Sequence, residues 1–158
     1  GMTINDERKK NVLFSEPYYQ SGLTIVVKKD NNDINGFKDL AGKTVAVQIG
    51  TTSAKEVKKN PDIHVKELNS SADTFLELKA GGVQAVVNDR PVNDYYIAKS
   101  GETDVRVVNE LLTSEDYGIA MSKDNQELQK KVNEALKKLK ENGKYDEIYQ
   151  KWFGKKAD

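Results

Sequence analysis

The sequence contains no cysteine and a single histidine, His64. Without cysteine there are no disulfides and no thiolate metal sites, and one histidine supplies neither an imidazole metal set nor a base for a Ser/His/Asp triad. Charge of one sign is also lacking, since 25 Lys plus Arg balance 25 Asp plus Glu. No net field therefore draws the chain to nucleic acid or to an anionic membrane. No apolar run approaches the ~20 residues of a spanning helix. Residues 1–10 are too polar to be a signal peptide. No glycine-rich loop fits the P-loop or the dinucleotide fingerprint. No metal, cofactor or catalytic set is expected from these residues, and His64 reads as a surface side chain.

What is present is periodic. Residues 23–27 (Leu-Thr-Ile-Val-Val) form a β-branched run suited to a buried strand. A polar loop follows at 28–36, then one helical turn at 37–40. Strands are expected at 43–48, 63–68, 84–87, 105–108 and 117–121. Helices are expected at 54–59, from Ser70 or Ser71 to Lys79 (Ala72, Phe75, Leu76 and Leu78 on or near one face), and from Pro91 to Lys99. Gly81-Gly82 ends the second of these. Residues 125–142 read as an amphipathic helix through Leu128, Val132, Ala135, Leu136 and Leu139. It stops at Gly143, and another helix carries Tyr145, Ile148, Tyr149 and Trp152. The basic residues of 137–144 form that first helix's polar face. Residues 28–36 and 113–116 read as linkers. This alternation predicts an α/β fold built from βαβ units, with a parallel sheet and helices on both faces. Ligands of such sheets bind beyond the carboxyl ends of the strands, where strand order switches.

Three places carry recognition chemistry. In residues 48–53 (Gln-Ile-Gly-Thr-Thr-Ser) a strand turns at Gly50 and a helix starts near Thr52 or Ser53. The first-turn amides and the helix dipole favour an anion there, although the same residues also make an ordinary Ser/Thr-capped turn. In residues 87–91 (Val-Asn-Asp-Arg-Pro) Asp89 follows a buried strand, where it can pair with an ammonium or simply cap the next helix. Arg8 offers a planar fork for a carboxylate, or is one surface charge beside Lys9 and Lys10. Tyr18 and Tyr19, after Pro17, either wall a pocket or pack under a turn.

The run at residues 1–10 (Gly-Met-Thr-Ile-Asn-Asp-Glu-Arg-Lys-Lys) is followed by 14–19 (Phe-Ser-Glu-Pro-Tyr-Tyr) and 39–53 (Asp-Leu-Ala-Gly-Lys-Thr-Val-Ala-Val-Gln-Ile-Gly-Thr-Thr-Ser). Then come 117–120 (Tyr-Gly-Ile-Ala) and 142–154 (Asn-Gly-Lys-Tyr-Asp-Glu-Ile-Tyr-Gln-Lys-Trp-Phe-Gly). In this order the motifs resemble the polar-amino-acid substrate-binding proteins of ABC importers, which have the type 2 periplasmic-binding-protein fold, and among them the glutamine-binding members most. The resemblance implies two α/β lobes that hold an L-amino acid, glutamine favoured, in the cleft between them and deliver it to a membrane permease. It implies an extracytoplasmic location and no bond-breaking chemistry. It implies that Gly1 and Thr3 touch the ligand, and that Arg8 and the Thr52 amide bind its α-carboxylate. Asp89 would hold its α-ammonium. Gln48 stands where the similar glutamine binders have lysine, and Asn88 where they have histidine; both positions read the ligand side chain.

The resemblance further implies an N-terminally truncated form. Residues 23–117 would be a complete second lobe of three αβα layers. Residues 1–22 would be a remnant of the first lobe and first hinge approach, and 118–158 the second hinge and C-terminal helices. The apolar faces of those helices would then lack their sheet, so a partner chain is expected to cover them, by exchange of elements in a homodimer. Two other readings stand beside this one: an interaction lobe that binds no ligand, and a dehydratase-like enzyme on the same fold.

Overall fold

The computed structural model describes residues 1–100 and 103–153; Gly154, the end of the C-terminal motif, and the remainder of the tail lie outside the described residues. The chain divides into two units, one formed by Gly1–Gln20 and Glu115–Asp158, the other by Ser21–Ser114.

The first unit opens with strand β1 (Met2–Thr3), the short helix α1 (Asp6–Lys9), β2 (Val12–Phe14) and β3 (Tyr19–Ser21). Asn5 caps α1, its Oδ1 accepting from the Arg8 amide at 2.9 Å. None of these four elements is apparent in the sequence. Each is too short to show a hydrophobic period.

The second unit holds β4 (Leu23–Lys28), a 3-10 turn at Phe37–Leu40, β5 (Thr44–Gln48), α2 (Thr52–Val57) and β6 (His64–Leu68). It continues with α3 (Ser71–Ala80), β7 (Ala85–Asp89), α4 (Arg90–Ser100) and β8 (Val105–Val107). The five strands lie in the order β6-β5-β7-β4-β8. β5 is parallel to β6 and β7, but β4 runs antiparallel to both β7 and β8. The sheet is therefore mixed, not parallel as expected. Between β4 and β5 the chain carries one 3-10 turn and no crossover helix. A parallel return needs such a crossover, whereas a strand of opposite direction is reached from the same end.

Alternate strand residues serve two cores. Ile25, Val27, Val45, Val47 and Val87 pack with Ile34, Leu40, Ala54 and Val57 on one face. Val26, Ala46 and Val86 pack with Phe75, Leu78 and Val83 on the other. Burying each larger aliphatic side chain contributes ~1.5–3 kcal/mol. Phe75 also stacks on Tyr96 of α4, with ring centroids 3.7 Å apart. Leu76, expected near the apolar face of α3, is exposed instead. The loop after β4 is pinned by buried Ile34 and by the Arg106 guanidinium, which donates to Asn31 O at 2.7 Å and to Ile34 O at 3.0 Å.

The chain then returns to the first unit with β9 (Glu115–Gly118), β10 (Ala120–Ser122), α5 (Gln126–Glu141) and α6 (Lys144–Phe153). The single strand expected at 117–121 is thus two. β9 pairs antiparallel with β1, Thr3 opposite Tyr117. β10 pairs antiparallel with β2, Met121 opposite Leu13. The break falls at Ile119, whose amide donates to Ser15 Oγ and whose carbonyl accepts from the Ser15 amide, both at 2.9 Å. β9 also takes in Glu115 and Asp116 from the stretch read as a linker. Asn125 caps α5, its Oδ1 accepting from the Leu128 amide at 3.1 Å. Tyr19 meets Tyr117, Tyr149 and Phe153 with centroids 5.4–5.7 Å apart. No described residue of α5 or α6 is buried, and Leu128, Ile148 and Trp152 are exposed.

Within the second unit, Gly22 is buried where a Cβ would lie 2.0 Å from the Thr113 carbonyl oxygen and 2.7 Å from Leu111 Cδ1. Gly22→Ala is expected to cost ~1–3 kcal/mol as an overpacking substitution. Urea denaturation reads this directly, and a midpoint equal to that of the unsubstituted chain would contradict the close approach.

Candidate functional site

The strand order places a switch at β5. The connection from β5 to β6 carries α2, whose Ala54 and Val57 join one core; the connection from β6 to β7 carries α3, whose Phe75 and Leu78 join the other. The two helices thus pack on opposite faces, and in sheets with such a switch ligands bind beyond the carboxyl ends of the strands beside it, here β5 and β7. Gln48 ends β5, and Asn88 and Asp89 end β7.

The turn after β5 is set by Gly50, at φ +74°, a left-handed conformation that favours glycine. Thr51, rather than a later residue, caps α2. Its Oγ1 accepts from the Ala54 amide at 3.2 Å and donates to Gln48 O at 2.7 Å. Thr52 is accordingly the first helical residue, with its amide in the turn that has no intrahelical acceptor. A capped turn is present at residues 48–53, and α2 starts beyond the carboxyl end of β5.

Asp89 is half-buried, opposite Leu23 in the β4–β7 ladder and immediately before α4. Asn88 is nearly buried, at 4% exposure. Its Nδ2 donates to Thr74 Oγ1 at 3.2 Å, and Thr74 Oγ1 in turn donates to Ser71 O at 2.6 Å. Gln48 donates from Nε2 to Asn69 O at 3.3 Å and accepts at Oε1 from Ser71 Oγ at 2.9 Å. Behind them, Asn93 Nδ2 donates to Thr24 Oγ1 at 2.8 Å and to Asn88 O at 3.3 Å.

In the first unit, Thr3 and Arg8 are brought together. One Arg8 Nη donates to the Thr3 carbonyl at 2.9 Å, which holds the half-buried guanidinium in place. The Thr3 hydroxyl donates to Glu115 Oε2 at 2.6 Å, with both residues buried. Gly1 is exposed, and its ammonium donates to the Tyr18 hydroxyl at 2.5 Å. Tyr18 and Tyr19 wall a cavity of about 630 Å³ with Asp116, Lys140, Tyr145 and Tyr149. Gly1, Thr3 and Arg8 do not line that cavity. His64 is exposed.

The sequence reading missed Glu115, Ser71, Thr74 and Asn93. Ser71 was visible only as a candidate cap, and Glu115 lay in a stretch read as a linker. Nothing local marks the partner that Glu115 finds 112 residues away.

Residues 1–155 match the family of bacterial extracellular solute-binding proteins, family 3. The chain is 37% identical over 154 residues to the glutamine-binding protein of an ABC transporter of Bacillus subtilis, covering 96% of this chain and 55% of that protein. It is 36% identical over 161 residues to a putative ABC transporter arginine-binding protein of Escherichia coli, covering 98% and 65%. The chain thus spans 55–65% of the length of these relatives. Among solved structures, an ancestral arginine-binding protein bound to glutamine matches with a TM-score of 0.92 and 47% identity, over 98% of this chain and 69% of that one. The neighbours have the type 2 periplasmic-binding-protein fold, and the relatives are solute-binding proteins rather than enzymes.

Burial raises the pKa of the Tyr145 phenol, with smaller contributions from Tyr149, Asp146 and Tyr18; burial alone raises that of Tyr18. Tyr145 donates its hydroxyl to the Tyr18 carbonyl. Above the ordinary tyrosine value of 10.0 the unfolded chain loses these protons first. The folded state then holds more protons, so stability falls as pH rises. Tyr145→Phe is expected to make the fall between pH 9 and 11 shallower in denaturant titrations. An unchanged slope would contradict the burial argument.

Proposed function

The chain belongs to the bacterial extracellular solute-binding proteins of family 3, and on that premise we propose that it recognises a polar L-amino acid, glutamine favoured, for delivery to an ABC transporter permease outside the cytoplasm. The observation that carries this reading is the strand-order switch flanked by Asp89 on one strand end and by the turn from Gly50 to Thr52 on the other. The ligand is a zwitterion. Asp89 takes the α-ammonium, and the helix start at Thr52 takes the α-carboxylate through an amide favoured by the helix dipole. Arg8, held by the Thr3 carbonyl, retains guanidinium hydrogens for a carboxylate. Gly1 offers a backbone contact, and Thr3, whose buried hydroxyl bonds Glu115, holds Arg8 through its carbonyl. Gln48 and Asn88 read the side chain. The relatives named for glutamine and arginine support the ligand class, and an ancestral arginine-binding protein bound to glutamine supports glutamine as a member of it.

Nuclear magnetic resonance titration with L-glutamine tests the reading, since it detects even millimolar binding. Asp89→Ala is expected to weaken saturation at least tenfold, as an ammonium left without its counter-charge costs more than ~1.4 kcal/mol. An unaltered titration would remove the ammonium assignment.

The exposed Leu128, Ile148 and Trp152 support a second element of the reading: a second copy of the chain covers the apolar faces of α5 and α6. Light scattering is expected to give a mass that rises with concentration toward the dimer. A monomer throughout the micromolar to millimolar range would end this part.

A further inference from the structure

Asn35-Gly36 and Asn142-Gly143 are the two Asn-Gly pairs of the sequence, and both asparagines are exposed. Such a pair can age without an enzyme. Glycine has no Cβ to shield its backbone nitrogen, so that nitrogen can attack the asparagine Cγ. The new N–Cγ bond closes a cyclic imide, the Cγ–Nδ2 bond breaks, and Nδ2 leaves as ammonia with the amide proton. Water then opens the ring. Cleavage at Cγ gives aspartate. Cleavage at the main-chain carbonyl gives isoaspartate, whose backbone runs through Cβ. Water is the only co-reactant.

The fold treats the two pairs differently. Asn35 is held at both ends of its side chain: Nδ2 donates to Asn32 O at 2.9 Å, and Oδ1 accepts from Arg106 Nη2 at 3.3 Å. The Gly36 amide donates to Asp39 Oδ2 at 3.0 Å. To attack, that nitrogen must lose its proton, and a carboxylate beside it opposes the negative charge that results. Asn142 has the opposite setting. Its Oδ1 accepts from the Lys144 amide at 3.0 Å, which closes a ring of atoms containing both Cγ and the Gly143 nitrogen. The carbonyl carbon is thereby kept near its nucleophile. The Lys144 amide also faces the oxygen on which charge develops during the attack. It lies at the start of α6, where the helix dipole favours negative charge. The Gly143 amide itself donates to a neutral group, the Lys140 carbonyl, at 3.3 Å.

We propose that Asn142-Gly143 is a site of spontaneous deamidation from which the fold protects Asn35-Gly36, and that isoaspartate at position 142 unseats α6. Asn142 and Gly143 alone join α5, which ends at Glu141, to α6, which starts at Lys144. Gly143 makes the turn at φ +75°. An extra backbone carbon in so short a joint shifts α6 against α5. None of the described residues of α6 is buried, so little packing resists the shift. The contacts at stake are those of Tyr149 and Phe153 with Tyr19, at 5.7 and 5.4 Å between centroids, and of the Tyr145 hydroxyl with the Tyr18 carbonyl. The proposal is independent of the amino-acid-binding reading.

The test holds the full chain at mildly alkaline pH, either folded or in guanidinium chloride, and samples it over time. Peptide mapping by mass spectrometry reads conversion at residues 35 and 142 and separates aspartyl from isoaspartyl products. In denaturant, where neither side chain is held, the two sites are expected to convert within about threefold of each other, and in the folded chain Asn142 is expected to lead roughly tenfold, a barrier difference of ~1.4 kcal/mol. Asn35 keeping pace with Asn142 in the folded chain, or an equally large lead in denaturant, overturns the selection by the fold. Asp39→Ala is expected to speed conversion at Asn35, and no gain there overturns the protective role of that carboxylate. The isoaspartyl form, isolated by ion exchange, is expected to show a lower urea midpoint than fresh chain and shifted Tyr19 ring signals in nuclear magnetic resonance. An unchanged midpoint with unchanged ring signals overturns the unseating of α6.

Discussion

A change of side at β5 governs what the second unit can do. α2 packs on one face of the sheet and α3 on the other, and the first turn of α3 bonds the amides that end β5 and β7 through Ser71 and Thr74. The registered β5–β7 pairs are Val45 with Ala85 and Ala46 with Val86, short of Gln48 and Asn88. A sheet that buries both faces with aliphatic residues would otherwise offer little polar chemistry. Here the apolar alternation ends at Val47 and Val87, and the next residue of each strand is an amide.

Those amides belong to a network that is costly unless satisfied. Thr24, Thr74, Asn88 and Asn93 are all buried, and a buried polar group without a partner costs ~1–3 kcal/mol. Their mutual hydrogen bonds remove most of that cost and fix orientation at the same time. The first unit uses the same device. The buried Thr3 hydroxyl is held by Glu115 while its carbonyl holds Arg8, so a flexible guanidinium is anchored at one nitrogen.

The apolar runs of β4, β5 and β7 were legible because strands buried on both faces read as continuous β-branched stretches, and α5 because its apolar residues keep a helical period. Strand direction was not legible. A run such as Ile25-Val26-Val27 reads the same whichever way it points, and the absence of a helix between β4 and β5 was the clue. The helix start near Thr52 or Ser53 was legible, but with three hydroxyl residues in a row the sequence did not single out Thr51 as the cap. Motifs located Gln48, Gly50, Thr52, Asn88 and Asp89 at one sheet edge, but the hydrogen-bond partners Ser71 and Thr74 lie 23 residues from Gln48 and 14 from Asn88. Such pairings arise from the fold, not from spacing.

The reversed direction of β4 also governs the order in which the sheet can assemble. β5, α2, β6, α3 and β7 form a continuous run of chain whose neighbours are close in sequence. β4 comes first in the second unit, yet both its partners, β7 and β8, come after residue 84. As the chain emerges during synthesis, β4 must stay unpaired until β7 has formed. Pairing of its β-branched residues therefore closes a long loop, a non-local contact of the kind that slows folding.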